Sequence, residues 1–488
     1  MKISARQSEM ETLNAALMSD KPEFLAVYGR RRVGKTFLIR EFFRQEPDIF
    51  YLESTGQKNA TMRKQIDHFC YQIETAFSLK LPIQRPATWS KLFRFVNELL
   101  KNRSEKHLVL FFDELPWLAG PRSGFIQALE HCWNQWWSSD ARIKLIVCGS
   151  AASWMHDHII SAQGGLHNRL TRQILLRPFS FNEVKEYLTK QKIRLADKEI
   201  LKLYLVFGGV PYYWSLLTKG KSASQLVDDL YFQKDGDLRY EFDNLFRSLF
   251  DDYQIHERIV RVLGSRKHGM LRNEILAGAK LNSGGTANKY LQNLELSGFI
   301  ESFTPFGRLR KETSYRLIDE FCLFHLFWEA RRASIDSFWQ NEMGSPTVNT
   351  WSGYAFENFC LQHRDLIIDH LKIRNLVLGL SSWQIRSERK SSSIGAQIDL
   401  LIIRTDGPIH ICEIKYSNEP YCLDKATARS IATKVESFRS HCKFKGQIFV
   451  NLITANGHRS GLWDEEILDG AINLGSSDVG KKLKPREK

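Results

Sequence analysis

The sequence of 488 residues lacks the features that mark membrane, secreted and zinc-binding proteins. It contains no run of about 18 apolar residues, so we expect no membrane-spanning helix. The first ten residues contain no apolar h-region, so no secretory signal is predicted. The eight cysteines are scattered and never form a Cys-x-x-Cys pair, which argues against a structural zinc site. These absences favour a cytoplasmic protein with reduced, packed thiols.

The chain has an excess of positive charge. It contains 69 Lys and Arg residues against 55 Asp and Glu residues, which gives a net charge of +14. Such an excess favours polyanionic partners, DNA in particular. The bias is moderate because acidic and basic residues are interspersed, and the basic tail at residues 481–488 is expected to be solvated.

The most informative motif follows a short apolar stretch near the N-terminus. Residues 24–36 read Phe-Leu-Ala-Val-Tyr-Gly-Arg-Arg-Arg-Val-Gly-Lys-Thr. Glycines allow backbone N–H groups to converge on phosphates, and the following helix adds its N-terminal dipole. Lys35 would reach the β- and γ-phosphates, and Thr36 would offer a hydroxyl to Mg²⁺. The pattern predicts a site for ATP and Mg²⁺ formed by Gly29, Arg30, Arg31, Arg32, Val33, Gly34, Lys35 and Thr36.

Two further apolar strands end in polar residues. The first, within residues 107–118, ends in Asp113, expected to hold Mg²⁺, and Glu114, expected to polarise an attacking water as the catalytic acid–base residue. An acidic cap on a strand end is the alternative. The second, at residues 144–148, is followed by Ser150, which is either a sensor of the γ-phosphate or a turn residue.

These motifs resemble a prokaryotic family of AAA+/STAND-like ATPases. Residues 165–169 look like the arginine segment of that family, and residues 208–211 are similar to its Gly-x-Pro signature, which implies that Pro211 packs near the nucleotide. Arg169 could then stabilise the γ-phosphate, in cis or from a neighbouring subunit of a homo-oligomer. A structural salt bridge of Arg169 is the alternative.

The order of predicted elements divides the chain into six parts. Alternating strands and helices indicate a P-loop ATPase core at residues 1–181, and helical patterns alone indicate a lid at 182–250. Three helices and a two-stranded ribbon predict a winged helix at 251–320. An apolar helical connector follows at 321–350, with aromatics expected to form an interdomain core. The last two parts are an α/β domain at 351–480 and the basic tail at 481–488.

The third helix of the predicted winged helix has one apolar and one polar face. Leu291 and Leu294 should face the core, and Asn288, Lys289 and Gln292 should face outward. Asn, Lys and Gln suit contacts to bases or phosphates of DNA. The alternative is that this unit is a packing module that contacts no DNA.

A second cluster of chemically active residues is predicted at residues 397–417. This segment forms a β-hairpin with its turn at residues 406–408, and the strand period of two places Glu413 and Lys415 on one face. Asp399 and Glu413 could jointly bind a divalent cation, and Lys415 could orient the attacking water. With Glu357 on an upstream helix, the set resembles the PD-(D/E)XK nucleases, which implies a metal site of Glu357, Asp399 and Glu413. A structural salt-bridge cluster is the alternative.

The sequence therefore predicts an α/β protein: a P-loop NTPase core with a helical lid, a winged helix and a C-terminal α/β PD-(D/E)XK-like domain. The leading hypothesis is an ATP-hydrolysing switch coupled to a Mg²⁺-dependent DNA endonuclease. The alternative is an ATP-dependent DNA-binding or signalling regulator that does not cleave.

Overall fold

The architecture is given by a computed structural model, which describes residues 3, 5–44, 46–161, 169–266, 269–331, 337–385 and 396–475. The predicted basic tail at 481–488 lies outside the described residues. So do residues 165–168 of the predicted arginine segment.

The N-terminal part is built on a parallel sheet with the strand order β2-β3-β4-β1-β5. The strands are β1 (Glu23–Tyr28), β2 (Ile49–Thr55), β3 (His107–Asp113), β4 (Ile143–Gly149) and β5 (Arg172–Leu175). Alternate residues of β1 enter different apolar cores: Phe24 packs in one, and Leu25 in the other. Burial on both faces explains why these strands are continuous apolar runs.

Helices cover both faces of this sheet. They are α1 (Gln7–Leu17), α2 (Lys35–Phe43), α3 (Met62–Ala76), α4 (Trp89–Lys101), α5 (Leu115–Leu118), α6 (Phe125–Gln135) and α7 (Ala152–Met155). Because β1 leads directly into α2, the predicted phosphate loop lies at the C-terminal edge of a central strand. This is the edge at which ligands bind in open parallel sheets.

Residues 182–250, all of which are described, contain helices and turns and no strand. The helices of this region and its entry are α8 (Phe181–Lys190), α9 (Asp197–Phe207), α10 (Pro211–Ser215), α11 (Ala223–Val227) and α12 (Glu241–Leu249). Ser180 forms a capping box with Glu183 at the start of α8. The all-helical character matches the sequence-based prediction.

The next region combines three helices with a small antiparallel sheet. It contains α13 (Tyr253–Gly264), β6 (Met270–Leu271), α14 (Arg272–Gly278), α15 (Gly285–Leu296), β7 (Ile300–Phe303) and β8 (Ser314–Leu317). The sheet order is β6-β8-β7, so a third strand joins the two that the sequence predicts. Leu291 and Leu294 are buried, and Asn288, Lys289 and Gln292 are exposed, as expected.

Two aromatic helices follow, α16 (Glu320–Trp328) and α17 (Phe338–Glu342). Phe324, Trp328 and Trp339 are buried, and their rings contact Trp351 at centroid distances of 5.3–6.4 Å. They belong to one apolar core that contains Ala5 and buried residues between Phe179 and Leu474. The aromatics therefore form a shared interior, as the sequence analysis expected.

The C-terminal part contains a mixed sheet with the order β13-β12-β11-β10-β9. Strands β9, β10 and β11 pair antiparallel, whereas β11, β12 and β13 pair parallel. The elements are α18 (Pro346–Gln362), α19 (Arg364–Leu371), β9 (Val377–Ile385), β10 (Ala396–Arg404), β11 (Ile409–Lys415), α20 (Lys425–Cys442), β12 (Ile448–Thr454), α21 (Asp464–Ile467) and β13 (Gly470–Asn473). The hairpin predicted at 397–417 corresponds to β10 and β11.

Two observations bear on the opening expectations. Within the described ranges, no helix combines the length and apolar character needed to cross a bilayer. All eight cysteines are free thiols, and six of them are buried.

Candidate functional site

The backbone of the predicted phosphate loop has the conformations that its glycines allow. Gly29 has φ 144° and Gly34, the N-cap of α2, has φ 89°. A Cβ at Gly29 would lie 2.2 Å from the carbonyl oxygen of Leu176, so a side chain cannot be accommodated there. A Cβ at Gly34 would meet nothing within 4 Å, which leaves open space over the N-terminus of α2. The loop thus fits a phosphate group at that helix end.

Lys35 lies in the first turn of α2 and is buried. Its Nζ donates hydrogen bonds to the carbonyl oxygens of Gly29 and Arg30, both at 2.9 Å. The ammonium group is therefore held across the mouth of the loop, where its charge can act on bound phosphates.

Thr36 and Asp113 are brought together from two different elements. The Thr36 hydroxyl donates to Oδ2 of Asp113 at 2.8 Å, which joins the start of α2 to the end of β3. Asp113 is buried, and burial raises the pKa of its carboxyl, although the hydrogen bond from Thr36 acts in the opposite direction. A hydroxyl and a carboxylate are the hard oxygen donors that Mg²⁺ prefers. The two side chains predicted to hold Mg²⁺ thus fit that ion.

Glu114 and Ser150 also meet, at the ends of neighbouring strands. The Ser150 hydroxyl donates to Glu114 at 2.8–2.9 Å, and its backbone N–H donates at 3.2 Å. Glu114 has φ 48°, a conformation uncommon for a residue other than glycine. The structure thus uses Ser150 to hold the carboxylate, a contact that the sequence analysis did not foresee.

The side chains of Arg30 and Arg32 turn away from the loop towards later parts of the chain. Arg30 is buried and forms an ion pair with Asp319, and its guanidinium lies 4.7 Å from the ring centre of Phe299. Arg32 forms an ion pair with the buried Glu241. These two predicted cofactor-binding residues can therefore contribute backbone groups, whereas their side chains are committed to carboxylates.

Three other predicted residues occupy different surroundings. Arg31 is exposed, and Val33 is buried with its carbonyl oxygen accepting a hydrogen bond from Arg6 at 3.1 Å. Pro211 is the first residue of α10, one residue before Tyr212, whose ring lies 4.2 Å from the Arg32 guanidinium. The predicted Gly-x-Pro segment thus lies beside the phosphate loop.

Arg169 is exposed at the residue where the described chain resumes after position 161. Among the residues that the structure describes, no contact joins Arg169 to the loop residues. Its predicted role in cis or in trans therefore stays a prediction.

The second candidate site is an open cleft of about 440 Å³ in the C-terminal part. Residues from α18, β10, β11 and α20 line it, among them Glu357, Asp399, Glu413, Lys415 and Lys434. All four residues of the predicted nuclease-like set therefore reach one cleft.

Glu413 is neutralised by two lysines. Lys415 Nζ lies 2.9 Å from Oε1, and Lys434 Nζ lies 2.7 Å from Oε2. Burial alone would raise the pKa of the Glu413 carboxyl, but the two positive charges lower it below its ordinary value. The predicted placement of Glu413 and Lys415 on one face is confirmed by their contact.

Asp399 lies within a β-bulge of its strand, which changes the direction of its side chain. The pairing of β10 with β9 shifts register between Ile398 and Leu401, and both of these residues pack in the same core although they are three positions apart. Such a bulge redirects the residues within it. Gln397 Nε2 donates to Oδ1 of Asp399 at 2.7 Å. The carboxylate is thus held at the cleft by a neighbour on its own strand.

Glu357 approaches this cleft from α18. Burial raises the pKa of its carboxyl, and the nearby negative charge of Asp399 raises it further. Among the described residues, however, no group of three His, Cys, Asp or Glu side chains is placed to hold a metal ion. The predicted ligands Glu357, Asp399 and Glu413 therefore share a cleft without forming a ready metal cage.

Lys434 is the main residue of this cleft that sequence reasoning missed. It lies on α20 between Ile431 and Phe438, which are both buried. The helical spacing of these two apolar residues indicates the inward face of α20, and Lys434 shares that face. This periodicity could have identified the lysine, although it could not have named Glu413 as its partner.

Comparisons with known proteins agree with the N-terminal site. Residues 4–217 match a family profile described as an ATPase domain predominantly from Archaea. Residues 4–217 are therefore similar to that ATPase domain, and the parallel α/β sheet and the loop geometry are consistent with a P-loop NTPase core. The matched segment ends well before the C-terminal cleft.

Three other similarities cover more of the chain than this profile. An uncharacterised protein of Methanocaldococcus jannaschii is 24% identical over 422 residues, which cover 85% of this chain and 87% of that protein. The Walker-type ATPase of Pyrococcus abyssi is 19% identical with a TM-score of 0.47, covering 66% of this chain and 96% of that one. The Aeropyrum pernix ORC2 protein in ADPNP–ADP complexes is 15% identical with a TM-score of 0.43, covering 70% and 96%.

Proposed function

We propose that this protein is an ATP-hydrolysing switch whose ATPase domain controls a Mg²⁺-dependent, DNA-directed endonuclease unit at its C-terminal end. The ATPase part rests on the family match and on one geometric observation, the contact of Thr36 with Asp113 at 2.8 Å. The same proposal divides the chain at residues 181, 250, 320 and 350 into an ATPase core, a helical lid, a winged helix, a helical connector and a C-terminal nuclease-like domain.

The roles in the ATPase site follow from the chemistry of each group. The loop N–H groups and Lys35 would hold the phosphates, and Thr36 and Asp113 would hold Mg²⁺, which offsets phosphate charge when bound. Glu114, held by Ser150, is the carboxylate placed to accept a proton from the attacking water. In this arrangement the Ser150 hydroxyl would keep the Glu114 carboxylate in position through its hydrogen bond of 2.8–2.9 Å.

Two substitutions test the ATPase assignment. Lys35→Ala should severely weaken binding of Mg·ATP in isothermal titration, because the ammonium group that would contact the β- and γ-phosphates is lost. Glu114→Gln should keep binding and slow phosphate release by about 10²–10⁴-fold, the usual contribution of a general base. Lys64→Ala, at an exposed position in the first turn of α3, is the matched control. Unchanged binding and turnover in Lys35→Ala would refute the assignment.

The endonuclease part rests on the shared cleft of Asp399, Glu413 and Lys415. Carboxylates on adjacent strands can hold a divalent cation that acts as a Lewis acid on a phosphodiester. Lys415 would offset negative charge on the scissile phosphate or orient water. The exposed Lys289 and Gln292 on α15 and the positive net charge support DNA as the substrate.

Cleavage of DNA by the full chain tests this part. Supercoiled, linear and single-stranded DNA would be incubated with Mg²⁺ or Mn²⁺, with and without ATP. Asp399→Ala and Lys415→Ala should each abolish cleavage and leave ATP hydrolysis largely intact. Asp406→Asn is the control, because Asp406 is exposed at the turn of the same hairpin.

One observation favours the second candidate, a regulator that binds DNA without cleaving it. Lys415 and Lys434 both form ion pairs with the Glu413 carboxylate. Among the described residues, no three His, Cys, Asp or Glu side chains lie close enough together to bind a metal ion. Absence of cleavage on every DNA form, together with ATP-dependent DNA binding, would select this second function.

A further inference from the structure

Arg30 of the phosphate loop is placed unusually for a residue that adjoins a ligand site. Only 4% of it is exposed, and the carboxylate that neutralises it belongs to Asp319, 289 residues later. Its Nε and Nη2 are buried without hydrogen-bond partners among the described residues. A buried guanidinium depends on its counter-charge, so the position of Asp319 fixes the position of Arg30.

Arg30 in turn holds the lysine that would contact phosphates. Its carbonyl oxygen accepts the hydrogen bond from Lys35 Nζ at 2.9 Å. A chain of contacts therefore leads from Asp319 through the side chain and backbone of Arg30 to Lys35. The ion pair of Arg32 with Glu241 provides a second, parallel restraint two residues further on.

Asp319 is itself part of a junction with the C-terminal part. It is the N-cap of α16, and its Oδ1 accepts the N–H of Cys322 at 2.7 Å. The carbonyl oxygen of the preceding residue, Ile318, accepts hydrogen bonds from Asn358 at 2.8 Å and from Gln362 at 2.6 Å. Both donors lie on α18, which also carries Glu357 of the cleft.

We propose that Asp319 is a positioning residue of the nucleotide loop, acting through Arg30, and that it couples nucleotide binding to the junction of α16 with α18. The inference rests on the nucleotide-binding part of the proposed function. It adds that the ATPase site is incomplete within residues 4–217, since Asp319 and Glu241 lie outside that segment. Reciprocity then requires that a nucleotide on the loop also stabilises the junction.

Titration of Mg·ADP into Asp319→Asn tests the positioning role. Asparagine keeps an oxygen to cap α16 but removes the charge that holds Arg30, so the Kd should rise by about 5–150-fold, the usual range of coupling between sites. Asp424→Asn is the matched control, because Asp424 caps α20 in the same way, accepting the N–H of Thr427 at 2.7 Å. A Kd for Asp319→Asn equal to that of Asp424→Asn would overturn the proposal.

A double variant distinguishes coupling from general damage. Arg30→Met with Asp319→Asn removes both charges, so its Kd should be no higher than that of the weaker-binding single variant. Additive losses in the double variant would show that the two residues act independently, against the proposal. Failure of the unsubstituted protein to bind Mg·ADP would instead refute the proposed nucleotide site.

Hydrogen exchange of the unsubstituted full chain gives a test that does not depend on variant folding. Mg·ADP should slow exchange of the Cys322 amide and of residues 358–362, because both adjoin the Asp319 turn. Binding of Mg·ADP without any change in these segments would overturn the proposal even if every Asp319 variant failed to fold.

Discussion

Replacing Glu320 by glutamine should reduce the number of protons that the chain releases when it unfolds. The Glu320 carboxyl is buried beside Asp319, and burial raises its pKa from 4.5 to about 8. Its Oε1 accepts a hydrogen bond from Gln362 at 2.6 Å, and its other oxygen leaves no room for a Cβ on Gly208. Near neutral pH the folded chain therefore keeps a proton on Glu320.

The direction of the pH dependence follows from the two states. Above about pH 4.5 the unfolded chain loses this proton, whereas the folded chain retains it up to about pH 8. The contribution of Glu320 to stability is therefore complete below pH 4.5 and is lost progressively as the pH rises to about 8. At about 1.4 kcal/mol for each pH unit, the interval corresponds to about 5 kcal/mol as an upper limit.

The assay is a count of protons released on unfolding in urea at about pH 6.5. Glu320→Gln should release about one proton fewer than the unsubstituted chain, because glutamine never titrates. Glu357, whose pKa is also raised by burial, contributes equally to both proteins and cancels. Glu98→Gln is the control, since a hydrogen bond from Lys101 lowers the pKa of that exposed carboxyl. Equal proton counts for Glu320→Gln and the unsubstituted chain would refute the reasoning.

Three further predictions concern packing, DNA and the arginine segment. Gly209→Ala should lower the melting temperature strongly, because a Cβ there would lie 1.8 Å from the Phe179 carbonyl oxygen, whereas Gly353→Ala, with open space in α18, should not. Lys289→Ala should reduce the slope of log Kd against log salt for duplex DNA by about 1 if this exposed lysine contacts a phosphate. Mixed oligomers of Arg169→Ala and Lys35→Ala should recover ATP hydrolysis if Arg169 acts in trans, and failure would remove that role.

The sequence predicted the N-terminal strands and helices well because their signals are local. A phosphate loop is contiguous, and the apolar strands before it and within residues 107–118 correspond to β1 and β3. The C-terminal hairpin was also predictable, since its two apolar runs flank a short turn at residues 406–408. In each case the elements are close in sequence, so hydrophobic pattern and turn chemistry suffice.

Long-range charge pairing was not predictable from the same signals. Nothing near Arg30 in the sequence indicates Asp319 as its partner, and the pattern Asp319-Glu320 before an aromatic helix resembles an ordinary N-cap with an acidic first turn. Nothing near Lys434 in the sequence indicates Glu413 as its partner either. Ion pairs have no period along the chain, so only the fold brings their members together.

Irregular pairing was the other source of error. The strand β6 has two residues, too few for any alternation to show, and it extends the predicted ribbon to three strands. The register shift after Ile398 breaks the period of two that a regular strand would keep along β10. Both features depend on neighbouring strands that the local pattern does not contain.

The adjacent acidic residues Asp319 and Glu320 are both buried, but they differ in protonation near neutral pH. Arg30 is a buried cation that acts on both carboxylates, and a single guanidinium cannot neutralise two of them. Asp319 is ionised and forms the ion pair with Arg30. Glu320 stays neutral because it retains its proton, and it accepts a hydrogen bond from Gln362. Glutamine can therefore replace Glu320 without creating an unpaired charge, whereas asparagine at Asp319 leaves Arg30 uncompensated. Of two neighbouring isosteric substitutions, only Asp319→Asn is thus expected to disturb the nucleotide loop.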